Sequence, residues 1–202
     1  MLTKLYLLRH GETDWNQKSI FQGQTDIDLN KNGKNDAQKA AEILQDIKLD
    51  QIYSSDLKRA KNTALMISQA KNLKIKENKQ LREICFGDWE GLSFSEIKKQ
   101  YPKQLASWQQ DPLNYSPPAG EKLLDFKKRI VNFFTKMINK NKGDKILVVA
   151  HGGVIKVYLT AILSIDPQNF WQFQIDNGSL TELKFYDEDI ILSKLNFTNT
   201  LN

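Results

Sequence analysis

The sequence predicts an α/β domain of three layers, an α/β/α sandwich with helices on both faces of a largely parallel central sheet. Three observations carry that expectation. Two apolar runs, Leu5-Tyr6-Leu7-Leu8 and Ile146-Leu147-Val148-Val149-Ala150, lead into Arg9-His10-Gly11 and His151-Gly152. Short continuous apolar runs bounded by glycine read as strands buried on both faces. Between them, strand-like runs alternate with stretches of helical periodicity, as βαβ units require. At the end, two strand-like runs flank Asp187-Glu188-Asp189, the pattern of a hairpin. No low-complexity stretch, repeat or Pro/Gly/Ser linker divides the 202 residues, so a single domain is expected over 1–202.

The first strand covers residues 3–8, and Gly11 to Asn30 reads as a polar loop. Ala37, Ala40, Ala41, Leu44 and Ile47 recur at helical spacing, which predicts a helix over 33–47. Gln51 to Ser54 is a short strand. Ser55-Asp56 then offers N-cap chemistry for a helix over 57–70. A third strand is expected near 74–77. Ser93-x-x-Glu96 has the form of a capping box, opening a helix that stops near Tyr101-Pro102. Residues 103–120, with Pro112, Pro117, Pro118 and Gly120, are expected to be irregular, and 84–120 as a whole reads as a cap or lid that sets specificity. From Glu121 to Asn139, Leu124, Phe126, Ile130, Phe133, Phe134 and Met137 form one helical stripe. A strand at 145–150, a helix from Gly153 to Leu163 and strands at 179–186 and 190–196 complete the chain.

Composition narrows the function. The net charge of +5 comes from 29 Lys and Arg against 24 Asp and Glu. Only four of the basic residues are arginine, and the lysines are scattered beside acidic and amide residues. No basic run is interleaved with aromatics, so a nucleic-acid partner is not expected. No apolar stretch approaches a membrane span, and the apolar run after Met1-Leu2-Thr3-Lys4 is shorter than that of a signal peptide, so none is expected. One cysteine, Cys85, suits a reducing compartment, so the expected location is cytoplasmic.

Both histidines of the chain stand where a predicted strand ends. In an open α/β sheet, the carboxyl ends of the strands border the ligand crevice. Arg9 adjoins His10, Arg59 falls in the first turn of a helix at the same edge, and Leu81-Arg82-Glu83 precedes the Phe86-Gly87-Asp88-Trp89-Glu90-Gly91 turn. Guanidinium groups grip a tetrahedral dianion by paired hydrogen bonds. The helix N-termini after His151-Gly152-Gly153 and Ser55-Asp56 would add backbone donors. These parts make a phosphate pocket without a Walker loop, whose GxxxxGK[ST] pattern does not occur. No Asp/His cluster has ligand spacing, so neither a metal nor another cofactor is expected. Cys85 reads as a packing residue. Trp15, Trp89 and Trp108 are candidates to roof the site, although such aromatics commonly serve the core; within 84–120, Phe86, Trp89, Trp108, Tyr115 and the prolines are left to contact the alcohol half of a substrate.

These residues also carry a resemblance. Leu8-Arg9-His10-Gly11-Glu12-Thr13 with Trp15-Asn16, Gly23-x-x-Asp26-x-x-Leu29, Ser54-Ser55-Asp56-Leu57-x-Arg59-Ala60-x-x-Thr63-Ala64, Leu81-x-Glu83 and Ala150-His151-Gly152-Gly153 occur in that order along nearly the whole chain. The set resembles the histidine phosphatase superfamily, also called phosphoglycerate mutase-like. The resemblance implies metal-independent hydrolysis of small phosphate monoesters, with His10 as nucleophile and Glu83 as proton donor. It implies that Arg9, Arg59 and a protonated His151 complete the phosphate pocket, with Asn16, Gln22, Gly23 and Gly152 around it. The run Glu83-Ile84-Cys85-Phe86-Gly87-Asp88-Trp89-Glu90-Gly91 is similar to the phosphatase branch and lacks the Arg-His-Tyr-Gly of cofactor-dependent mutases. Leu81 to Leu92 and Pro118-Ala119-Gly120-Glu121 look most like alpha-ribazole phosphatases and broad-specificity phosphatases, so alpha-ribazole 5'-phosphate is one expected substrate. The partner expected is thus a small phosphorylated metabolite; a homodimer is left open. Mutase-type phosphoryl transfer and a non-catalytic phospholigand-binding protein are the alternatives.

Overall fold

The computed structural model describes residues 1–198, so the last four residues of the expected 1–202 domain lie outside the described part. Six strands form one sheet: β1 (Thr3–Arg9), β2 (Gln51–Ser54), β3 (Ile75–Glu77), β4 (Lys145–Ala150), β5 (Leu180–Phe185) and β6 (Ile190–Phe197). Their spatial order is β3-β2-β4-β1-β5-β6. The first four run parallel, and β5 and β6 add an antiparallel edge. The expected three-layer α/β/α sandwich with a terminal hairpin is therefore the observed one.

Alternation along the central strands produces the layers. Side chains point to opposite faces at successive positions. Leu5 and Leu7 of β1, with Ile146 and Val148 of β4, join Phe126, Phe134, Ile155 and Leu159 on one side of the sheet. Tyr6, Leu8, Leu147 and Val149 join Ala40, Leu44, Ala60, Ala64 and Ile67 on the other. Helices α6 (Leu123–Lys140) and α7 (Gly152–Ile162) cover the first face; α2 (Lys31–Ile43) and α3 (Lys58–Lys71) cover the second. With both faces buried, β1 and β4 read as continuous apolar runs.

Several local expectations need correction. The loop after β1 contains a short helix, α1 (Asp14–Gln17), held by a Thr13/Asn16 capping box. Ser55 and Asp56 do not cap α3; its N-cap is Leu57 without a side-chain bond, and the Lys58 N–H goes instead to Asp26 Oδ1 at 2.7 Å. Residues 103–120 are not all irregular. Pro102 ends α4 (Phe94–Gln100) and also opens α5 (Pro102–Gln110), because proline at the first helical position loses no bond. The Ser93/Glu96 capping box forms as expected. A 3-10 turn at Pro167–Gln172, beyond α7, had no signal in the apolar periodicity. Among the described residues no helix is long and apolar enough to cross a membrane.

Candidate active site

β1 and β4 are neighbours in parallel register, with Arg9 opposite Ala150. The next residue on each strand is a histidine, and the His10 N–H still bonds to Ala150 O at 3.0 Å. The two imidazoles therefore meet edge to face, their centroids 5.2 Å apart. α3 begins just beyond β2, on the other side of β4, and brings Arg59 to the same edge. A hollow of about 270 Å³ opens there, and Arg9, His10, Asn16, Gln22, Gly23, Arg59, Glu83 and Gly152 all line it. Eight of the nine site residues expected from sequence thus converge on one hollow; the ninth, His151, is fully buried against His10 and Arg59 and is not part of its wall.

The hydrogen bonds fix the state of each imidazole. His10 Nδ1 lies 2.7 Å from Gly11 O. A carbonyl only accepts, so Nδ1 carries the proton and Nε2 keeps its lone pair. Burial, and then the charges of Arg59 and Arg9, push the His10 pKa well below 6.5 and keep the ring neutral. At His151 the assignment is reversed. Arg59 Nε donates to His151 Nδ1 at 3.2 Å, so the proton sits on Nε2. Burial, Arg59 and His10 also lower the His151 pKa well below 6.5. The protonated His151 expected from the resemblance is therefore corrected to a neutral Nε2–H donor, because a charged ring could not accept from Arg59.

Arg59 is held rigidly. Its Nη1 donates to Thr25 O at 2.8 Å and its Nη2 to Gly23 O at 2.6 Å. Burial lowers its pKa to about 10, still cationic at neutral pH. Gly23 can present that carbonyl because it sits at φ +48°, where a side chain would also strike Glu90. Arg9 Nη1 donates to Ile175 O at 2.6 Å, while Arg9 Nε and His151 Nε2 are buried with no hydrogen-bond partner. Both are N–H donors of the kind a phosphate oxygen accepts. Asn16 Oδ1 already accepts from Thr13 and Asn177, which turns its amide nitrogen toward other partners. Gln22 Oε1 is buried without a donor. Turning that amide over exchanges an acceptor for a donor.

Glu83 follows the turn Lys79–Leu81 and crosses to the start of α7. Its Oε2 accepts the Gly153 N–H at 2.9 Å, and its Oε1 accepts the Ile84 N–H at 3.0 Å. A side-chain carbon at 153 would overlap this carboxylate, which explains glycine there. Gly152 leaves a first-turn N–H without an intrahelical acceptor. At the α3 terminus the Lys58 N–H is already taken by Asp26. Arg82 does not pair with Glu83; it forms a two-pronged ion pair with Asp56 at 2.8 and 2.6 Å. Burial raises the Cys85 thiol, and the residue does not line the hollow. Among the described residues no group of three His, Cys, Asp or Glu is placed to hold a metal ion.

The model of the histidine phosphatase superfamily, branch 1, matches residues 5–198. The chain belongs to this family. Phosphoserine phosphatase 1 of Hydrogenobacter thermophilus is 34% identical over 197 residues, covering 98% of this chain and 93% of that protein. The alpha-ribazole phosphatase of Shigella flexneri superposes with a TM-score of 0.90 at 26% identity, covering 96% of each chain. A mycobacterial glucosyl-3-phosphoglycerate phosphatase gives a TM-score of 0.85 at 30% identity, covering 97% of this chain and 99% of that one.

Around the pocket of this family member, sequence reasoning missed several residues. Arg129 on α6 donates to Gln80 O, Arg82 O and Glu83 O and to both oxygens of Glu121, and so fastens the loop that carries Glu83. Glu90 accepts from the Gln24, Thr25 and Phe86 N–H groups and ties the Gly23 loop to the 86–90 turn. Neither role leaves a periodic signal. The aromatic wall also differs from expectation. Trp89 is fully buried core, Trp15 does not line the hollow, and Tyr115 is exposed. Phe86 does line it, together with Phe21, Phe170 and Trp171. Phe21 and Trp171 continue into a second hollow of about 460 Å³, where Trp108 lies with Phe94 and Pro112. Segment 84–120 therefore shares this wall with Phe21 and with the 167–172 turn.

Proposed function

We propose that the chain hydrolyses phosphate monoesters of small metabolites through a phosphohistidine on His10, without a metal ion. Membership of the superfamily and relatives named as phosphatases make it a phosphoric monoester hydrolase. The observation that carries the mechanism is the bond from His10 Nδ1–H to Gly11 O, which leaves Nε2 unprotonated on a neutral ring lining a cationic hollow. Nε2 attacks phosphorus, and the bond from phosphorus to the ester oxygen breaks. Glu83 gives the leaving oxygen its proton. Water then attacks the phosphohistidine, passing a proton to Glu83, and phosphate departs with His10 restored. Arg9, Arg59, the His151 Nε2–H and the Gly152 N–H stabilise charge on the three equatorial oxygens. Asn16, Gln22 and Gly23 border that cradle.

The relatives' names divide over the substrate: phosphoserine for a protein 34% identical, alpha-ribazole for one 26% identical. Alpha-ribazole 5'-phosphate therefore stands as one member of the proposed class. A single cysteine fits a cytoplasmic enzyme. The test is rapid quenching with a labelled monoester in EDTA. Acid-labile phosphate should appear on His10, and His10→Ala should retain less than about one-tenth of wild-type turnover. Turnover above about one-tenth of wild type in His10→Ala, or a strict need for Mg²⁺ or Zn²⁺ at the phosphoryl site, would overturn the mechanism.

A further inference from the structure

Lys156 has no place in the mechanism above. It is the only charged residue of α7 (Gly152–Ile162), a helix whose Val154, Ile155, Val157, Tyr158, Leu159 and Thr160 are buried. Lys156 stands three and four residues beyond Gly153 and Gly152, on the helix face that carries the first-turn donors. Its side chain lines the hollow with Arg9, His10 and Glu83, the one lysine to do so among the described residues. It forms no hydrogen bond or ion pair with any described residue. The side chain is partly buried; burial and the neighbouring charge of Arg9 lower its pKa, opposed by Glu83 and Asp176. A solvated surface lysine would be neither partly buried nor part of the wall of the hollow.

The rest of the wall offers no other cation for the alcohol half of a substrate. Arg9, Arg59 and the His151 Nε2–H are placed for the phosphoryl group, and Ile20, Phe21, Ile84, Phe86, Phe170 and Trp171 are apolar or aromatic. We propose that Lys156 is a specificity residue that binds a carboxylate carried on the alcohol part of the phosphate monoester. The class of substrate is then an acidic phosphomonoester, with the carboxylate a few bonds from the ester oxygen. This assignment rests on the phosphatase reading above.

A matched pair separates the two. 3-Phosphoglycerate and glycerol 3-phosphate differ in a carboxylate against a hydroxymethyl group. Each is measured as a competitive inhibitor of p-nitrophenyl phosphate turnover by the wild-type protein and by Lys156→Met, Lys156→Arg and Lys156→Glu. Wild type should bind the carboxylate compound more tightly, and Lys156→Met should lower the ratio of the two affinities about tenfold, as loss of one charged hydrogen bond implies. Lys156→Arg should keep the preference, and Lys156→Glu should reverse it. A merely structural lysine would weaken both compounds alike and leave the ratio unmoved. An unchanged ratio in the Met and Glu variants, a wild-type preference for glycerol 3-phosphate, or no inhibition by either compound would overturn the proposal. Failure of wild type to turn over p-nitrophenyl phosphate would instead remove the phosphatase reading, and this assignment with it.

Discussion

Replacing Glu83 by Gln separates its chemical role from its structural one. The carboxylate accepts two backbone N–H groups, from Gly153 and Ile84, at 2.9 and 3.0 Å. An amide keeps one acceptor and sets an N–H₂ against the other donor. That mismatch leaves a backbone N–H unpaired, at a stability cost of about 1–3 kcal/mol. Thermal unfolding should report this loss whatever the substrate. The chemical loss depends on the leaving group. An aliphatic alkoxide is strongly basic and needs the proton, so phosphohistidine formation from an alkyl phosphate should slow by about 10²–10⁴-fold. p-Nitrophenolate is weakly basic and should lose far less. The assay is rapid quenching of the first step, because Glu83 also activates water in the second and would depress steady-state turnover with both esters. Equal first-step losses with the two esters would refute the proton-donor role and leave Glu83 as a structural tie between α7 and its own loop.

The remaining predictions follow from the same geometry. Both histidines have folded-state pKa values well below 6.5, so only the unfolded chain takes up their protons as the pH drops past that value. Stability is therefore full above about pH 6.5 and should decline below it; His10→Asn should make the decline in melting temperature shallower, and an identical slope would contradict the assignment. Arg129→Met frees the loop before Glu83 from its carbonyl contacts; kcat should fall about 10–100-fold with little change in KM. A rise in KM with kcat unchanged would place Arg129 in binding instead. Trp171→Ala should change the preference between p-nitrophenyl phosphate and glycerol 3-phosphate by about two- to tenfold, as loss of one aromatic contact implies, whereas Tyr115→Ala should not. Equal rankings in all three proteins would show that the aromatic wall does not contact the ester.

The division between sequence and tertiary structure follows the range of the interactions. The apolar runs before His10 and His151 determined two buried parallel strands, because burial on both faces demands uninterrupted hydrophobic residues. Strand ends in such a sheet share one edge, so His10, His151 and Arg59 could be brought together from local pattern alone. The ordered motifs then fixed Glu83 and the pocket rim. Local pattern also misled where one residue serves two purposes. Pro102 ends one helix and begins the next, and Ser55-Asp56 has cap chemistry that Asp26, 32 residues before Lys58, displaces there. Tertiary structure alone decided the protonation of the two imidazoles, since each depends on a single partner atom: a carbonyl of Gly11 for one, Nε of Arg59 for the other. It also decided which aromatics face the ester. Trp89, Trp108 and Trp171 are chemically alike, and only the tertiary packing that sets Trp108 between Trp89 and Trp171 assigns the first to the core and the last to the site. Arg129 and Glu90 belong to the same class: charged residues on an ordinary helix and turn, with partners far along the chain that leave no period to read, and the place of Lys156 in the wall is likewise set only by the fold.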